Sequence, residues 1–341
     1  MTPYVPPRAL RRIADPLWVP GAVLLSVPLL LAAAVGAVAA LRPGPHRLLR
    51  LSVLALTYVW VDVSIMLACW WLWLCSPWPR RDVAAWRERH CAVLRWALRR
   101  LLTCGERTVG FHLVVETPVA TWAERRPLLV LARHAGPGDS FALVHLLLEH
   151  LGRRPKVVLK EALQLDPGLD VLLNRLDCYF VPSRSGAGED RTEVVRRLAQ
   201  SLTADEALLI FPEGGNWTPR RHRRAVRRLF RRGEVRRARR AARQHRVLPP
   251  RPGGAVACLT ARGDTDVVVV AHAGLDTLVN PRQMWQAVPV DQRPMRVGWW
   301  VTDAAEVPRT DDRARAWVEQ MWGRVDAWVQ DVGLGAGTPS P

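Results

Sequence analysis

Two loops hold residues able to do proton-transfer chemistry. The first, Arg133-His134-Ala135-Gly136-Pro137-Gly138-Asp139-Ser140, follows the apolar run Leu-Leu-Val-Leu-Ala. On a continuous helix, a spacing of five residues would set His134 and Asp139 about 140° apart, and they could not meet. Gly-Pro-Gly between them breaks regular structure and permits a tight turn. His134 can then leave the strand end while Asp139 opens the next helix, bringing carboxylate to imidazole. Such a pair fixes the imidazole tautomer and steadies the imidazolium, as general-base catalysis on a hydroxyl requires. Taken alone, H-x-x-x-x-D spacing fits equally well a surface histidine beside an N-cap aspartate.

The second loop, Phe211-Pro212-Glu213-Gly214-Gly215-Asn216, again follows an apolar strand pattern and turns on glycines. The two blocks in this order resemble those of the glycerolipid acyltransferases, the 1-acylglycerol-3-phosphate and lysophospholipid acyltransferase family. Two further stretches agree. Lys160-Glu161-Ala162-Leu163, Pro167-Gly168 and Tyr179-Phe180-Val181-Pro182-Ser183-Arg184 resemble the family's block between the two motifs, and His245 to Gly254 resembles its leucine-proline-arginine-glycine stretch. The resemblance covers about residues 105–275.

It implies an O-acyltransferase in which His134 takes the acceptor hydroxyl proton and Asp139 orients it. Arg184 would hold the acceptor phosphate, its planar fork being suited to that task. Glu213 would organise the acceptor site, and Gly214 and Gly215 would bring backbone N–H groups to the acceptor or the thioester oxyanion. The family block usually reads E-G-T-R, whereas Gly215 and Asn216 stand here. Asn216 donates a hydrogen bond but carries no charge, so Arg220 or Arg221 would have to supply the cation. The acceptor implied is a lysophospholipid such as 1-acylglycerol-3-phosphate, with another hydroxylated lipid as an alternative. The donor is acyl-CoA or an acyl carrier protein thioester, a co-substrate rather than a cofactor. Thioester hydrolysis by water is the second reaction, and a non-catalytic membrane adaptor or an arginine-rich nucleic-acid binder are the competing classes. Nucleic acid ranks below lipid as a partner.

These blocks need an α/β scaffold. Strand patterns occur at 109–115, 128–132, 157–159, 179–181, 208–211, 267–271 and 297–301, and helix patterns at 140–151, 161–175, 189–203, 220–244 and 311–331. Their alternation predicts a mostly parallel or mixed sheet covered by helices. Trp299 and Trp300 on the last strand, and His272 at the end of an apolar strand, read as core residues.

Ahead of this domain, residues 16–41 carry no charge and 51–79 carry only Asp62, with Trp60, Trp70, Trp71, Trp73 and Trp78 crowding the second run. Each run exceeds the ~20 residues needed to cross a bilayer, and together they predict a helical membrane hairpin, fully spanning or re-entrant. Residues 83–104 read as a basic amphipathic helix. The expected organisation is an anchor at 1–80, a juxtamembrane helix at 81–107, a catalytic domain at 108–332 and a flexible tail at 333–341. The arginines flanking the hairpin favour a cell-membrane protein with its catalytic domain on the cytoplasmic side.

The formal charge is +18, from 49 Lys+Arg against 31 Asp+Glu. Residues 220–251 alone hold 15 arginines and one acid, Glu234. Such a segment suits membrane lipids and an anionic bilayer surface. The six cysteines stand singly, without C-x-x-C or a histidine tract, so neither a metal site nor a disulfide framework is expected.

Overall fold

The computed structural model describes residues 4–76, 82–117, 125–136, 138–182, 190–276 and 281–335. Arg184, with the rest of 183–189, lies outside the described residues, as do Pro137, Trp78 and the tail from 336 onward. The strands are β1 (Leu113–Val115), β2 (Leu128–Ala132), β3 (Arg154–Lys160), β4 (Tyr179–Val181), β5 (Glu206–Ile210), β6 (Asp266–Ala273) and β7 (Met295–Thr302). They form one mixed sheet in the order β1-β7-β6-β2-β5-β3-β4. The β2 strand pairs in parallel with both β5 and β6, and β6 pairs antiparallel with β7. Every residue of β2, β5 and β6 is buried. Strands covered on both faces read as continuous apolar runs, which is how LLVLA and VVVVA stand out in the sequence.

The chain forms two compact units, one of residues 1–112, 159–186 and 285–292 and the other of 113–158, 187–284 and 293–341. In the first, helices Trp18–Ala39 and Arg47–Leu74 pack through Ala22, Val59 and Val63, with Trp18, Val19 and Leu29 against them. Gly36 allows the close approach, since a Cβ there would stand 2.6 Å from the backbone nitrogen of Leu49. Both helices are long and apolar enough to cross a membrane. Leu24, Leu30, Leu31, Val35 and Val38 are exposed on the first, a surface suited to lipid rather than water. Asp62 is buried in the second against the backbone of Gly168, and Arg11 is bonded to Asp170 at 2.9 Å.

The second unit holds the central strands. Helix Asp139–Glu149 follows β2, and helix Asp311–Gly335 buries Val318, Trp322, Val325 and Val329.

Beyond shifts of a few residues at strand and helix ends, four features depart from the sequence patterns, each for a local reason. The basic helix runs over Val83–Val109, and Gly110 ends it with φ +73, so no strand begins before Leu113. The expected helix at 161–175 is a 3₁₀ turn, Glu161–Leu165, and then helix Pro167–Arg175, which the Asp166 side chain caps on Leu169 N–H. The arginine-rich stretch is two helices, Pro219–Arg231 and Val235–Arg243, broken at Gly233 with φ +74. Two short helices, Pro252–Leu259 and Pro281–Ala287, had no detectable pattern, since seven or eight residues span barely two turns.

Candidate active site

His134 lies just beyond β2, and Asp139 is the first residue of helix Asp139–Glu149, as the Gly-Pro-Gly turn requires. Gly138 takes φ +93, a conformation that suits only glycine without strain. The imidazole Nδ1 of His134 lies 2.9 Å from Asp139 Oδ2 and 3.1 Å from Oδ1. Facing only carboxylate oxygens, Nδ1 carries the proton and leaves the Nε2 lone pair free. The His134 side chain is 16% exposed and that of Asp139 1%, so the imidazole reaches solvent while the carboxylate does not.

The Asp139 carboxylate is held by its surroundings. Ala135 N–H donates to Oδ2 at 2.8 Å, Gly136 N–H at 3.2 Å, and the Ser140 hydroxyl donates to Oδ1 at 3.2 Å. Burial works against its charge, but the His134 hydrogen bond, the nearby His272 and His134 and the Ala135 N–H outweigh it and hold the pKa at about 2. Asp139 is therefore ionised at neutral pH.

The second block joins the first. Phe211 packs on the His134 ring, centroids 4.7 Å apart, and Trp217 N–H donates to the His134 carbonyl at 3.0 Å. Glu213 is buried, pointing inward, and its Oε2 accepts from Leu248 N–H at 3.1 Å. It thereby ties the glycine turn to the 245–251 segment. Burial drives its carboxyl up to about 8, against the opposing pull of the Arg133 charge and the N–H groups of Leu248 and His134. The folded state consequently keeps a proton that the unfolded chain releases above its ordinary 4.5. Stability from this group is complete below about 4.5 and falls as pH rises to about 8. Glu213→Gln should flatten that part of the pH–stability curve, which chemical denaturation at pH 5, 7 and 9 would show as a gain over wild type that widens with pH.

Gly214 has φ +67, and its N–H donates to the Phe211 carbonyl at 3.0 Å, so of the two glycine donors only that of Gly215 stays open. Arginines cross both glycines. A Cβ on Gly214 would stand 3.2 Å from Arg251, and one on Gly215 3.2 Å from the Arg221 guanidinium. Arg221 also donates to the Asn216 carbonyl at 3.1 Å, while the Asn216 side-chain oxygen has no hydrogen-bond partner. Arg220 is exposed on the same turn. Burial, and then the positive charges of Arg228, Arg221 and Arg232, press the Arg251 pKa down. Cations crowded in this way are relieved by an anion.

Arg251 lies within the stretch singled out by sequence, yet only its packing on Gly214 reveals a part in the site. Arg133 is a second residue the motifs do not disclose. Fully buried, it donates to the Arg246 carbonyl at 3.0 and 2.7 Å and to the His272 carbonyl at 2.6 Å, and it pairs with Asp276. An arginine beside the base at the end of an apolar strand is a signal, but its partners stand more than 100 residues away.

Residues 115–272, from β1 through the histidine of β6, match the acyltransferase family model. These residues form an acyltransferase domain. Both chemical blocks, with His134, Asp139 and Glu213, fall inside the matched segment. A solved structure shares the fold: the 1-acyl-sn-glycerophosphate (LPA) acyltransferase PlsC from Thermotoga maritima, with a TM-score of 0.55 at 16% sequence identity. The match covers 86% of this acyltransferase and 100% of that chain. No curated protein matches the sequence.

Proposed function

We propose that this acyltransferase moves a fatty acyl group from acyl-CoA or an acyl carrier protein thioester to the free hydroxyl of a lysophospholipid such as 1-acylglycerol-3-phosphate. One observation carries the reading: a histidine base with a free Nε2 sits in the same unit as a glycine turn crossed by Arg221 and Arg251. His134 Nε2 takes the hydroxyl proton as that oxygen attacks the thioester carbonyl. The tetrahedral intermediate then expels the thiolate, which recovers the proton from His134 as thiol. Gly215 N–H is the donor for the oxyanion. Arg221 and Arg251 take the role of the missing E-G-T-R arginine and receive the acceptor phosphate, with Arg220 beside them.

The reaction takes place at a membrane. Helices Pro219–Arg231 and Val235–Arg243 carry seven and five arginines and no acid. Glu319 pairs with Arg237 and Arg240, and exposed Phe230 and Val235 interrupt the remaining cations. Such a face suits an anionic leaflet, where each arginine contributes about 1 kcal/mol. With the apolar hairpin it supports attachment to the cell membrane, the catalytic unit facing the cytoplasm.

Mass spectrometry of lipids after incubation of the membrane-embedded enzyme with mixed lysolipids and several acyl thioesters tests this. The expected product is a diacyl phospholipid, and Arg221→Ala and Arg251→Ala should each raise the acceptor KM by about tenfold or more. Free fatty acid as the sole product, or equal use of uncharged monoacylglycerol, would refute the acceptor assignment.

A further inference from the structure

Behind the dyad lies a second histidine. His272 occupies the seventh position of β6, and both it and its neighbours on the strand are buried. Its Nε2 lies 2.9 Å from the carbonyl of Arg133, the residue directly before the base, and 3.6 Å from Asp139 Oδ2. A carbonyl only accepts, so Nε2 carries the proton. Nδ1 is buried with no partner, which fixes it as the bare nitrogen of a neutral ring. Arg133 answers the contact, donating from its guanidinium to the His272 carbonyl at 2.6 Å and from its backbone N–H to the Val270 carbonyl at 3.1 Å.

We infer that His272 is a positioning residue of the acyl-transfer site, a neutral histidine that clamps the backbone ahead of His134 and turns its N–H dipole toward the Asp139 carboxylate. The inference rests on the His134–Asp139 dyad of the proposed mechanism. Three features separate it from ordinary core packing. The ring is fully buried and cannot meet substrate, so it takes no part in proton exchange with the acceptor. Its one strong bond fixes the residue on which the imidazole of His134 depends, and the same N–H faces the dyad carboxylate. The bond is also reciprocal, so two side chains and two carbonyls lock β2 to β6 at the point where the loop departs. A valine or leucine would fill the same space at a lower desolvation cost. The charged groups around the ring are Asp139 at the head of its helix, Arg133 directly after β2 and Asp276 from the loop after β6. The Arg133 and Asp276 charges pair with each other, leaving Asp139 as the group to which the N–H responds.

His272→Met fills the volume without a donor, and His272→Gln places an amide N–H near the Nε2 position. A histidine Nδ1–H bonded to a carboxylate gives a far-downfield proton resonance whether or not an acceptor lipid is present. Proton NMR of the full chain in detergent micelles should show it in wild type and lose it in His134→Ala, which assigns it. The proposal predicts its loss in His272→Met and its return in His272→Gln. In the lipid assay, kcat should fall about 10–100-fold in His272→Met with KM little changed, and the glutamine variant should recover most of the loss. A resonance unchanged in folded His272→Met, or absent from folded His272→Gln, would overturn the positioning role. Its absence from wild type would overturn the dyad and the role together. Should the methionine variant not fold, the glutamine variant decides alone. Because the resonance needs no acceptor, failure of every lysolipid tried would count against the acceptor assignment and leave this test standing.

Discussion

His134→Ala should lower kcat for acyl transfer by about 10²–10⁴-fold, the range general-base catalysis supplies, with a much smaller change in acceptor KM. The imidazole is the group that reaches solvent while its Nδ1 is tied to a buried carboxylate, and the alanine variant removes the free Nε2 and nothing from the arginines over Gly214 and Gly215. The defect should therefore appear in the chemical step. Steady-state kinetics with thioester consumption and diacyl product followed together would show it, and turnover equal to wild type would refute the assigned base. Asp139 stays ionised down to about pH 2, so the low-pH loss of activity should not come from its protonation.

The second large effect concerns stability. Arg133→Met should cost about 3–5 kcal/mol, because it removes one partner of a buried ion pair and leaves the Asp276 carboxylate uncompensated. The Arg133 side chain is fully buried and that of Asp276 is 17% exposed. The pairing also holds the Asp276 carboxyl below its ordinary value despite burial. Methionine keeps the volume but leaves the Arg246 and His272 carbonyls without their donor as well. Urea denaturation of wild type and variant in the same detergent would measure the loss. The double variant Arg133→Met with Asp276→Asn should regain part of it, since the stranded charge is then gone.

The sheet was legible because its central strands are buried on both faces. LLVLA, ALLI and VVVVA leave no alternation to confuse, and Leu128–Ala132 and Tyr179–Val181 begin and end where the pattern places them. The dyad was legible because it is local: five residues, with glycines where the chain must turn. What could not be read depends on contacts between distant segments. Arg251 over Gly214, Leu248 on Glu213 and the mutual clamp of Arg133 and His272 each join positions between 35 and 139 residues apart, with no spacing signature of their own. His272 in particular reads as one more core residue on an apolar strand until its partner carbonyl is seen. The break at Gly233 was missed for a different reason, since arginines on either side of the glycine keep helical spacing and mask the turn.

The proposed acyl transfer requires His134 and Asp139 to work as one base. A double-mutant cycle on acyl-transfer kcat, with His134→Ala, Asp139→Asn and the two combined, measures this directly. Groups acting as a unit are strongly non-additive, so the double variant should be no slower than His134→Ala alone. Losses that multiply, or full activity in Asp139→Asn, would show that the two side chains act apart and would contradict the mechanism.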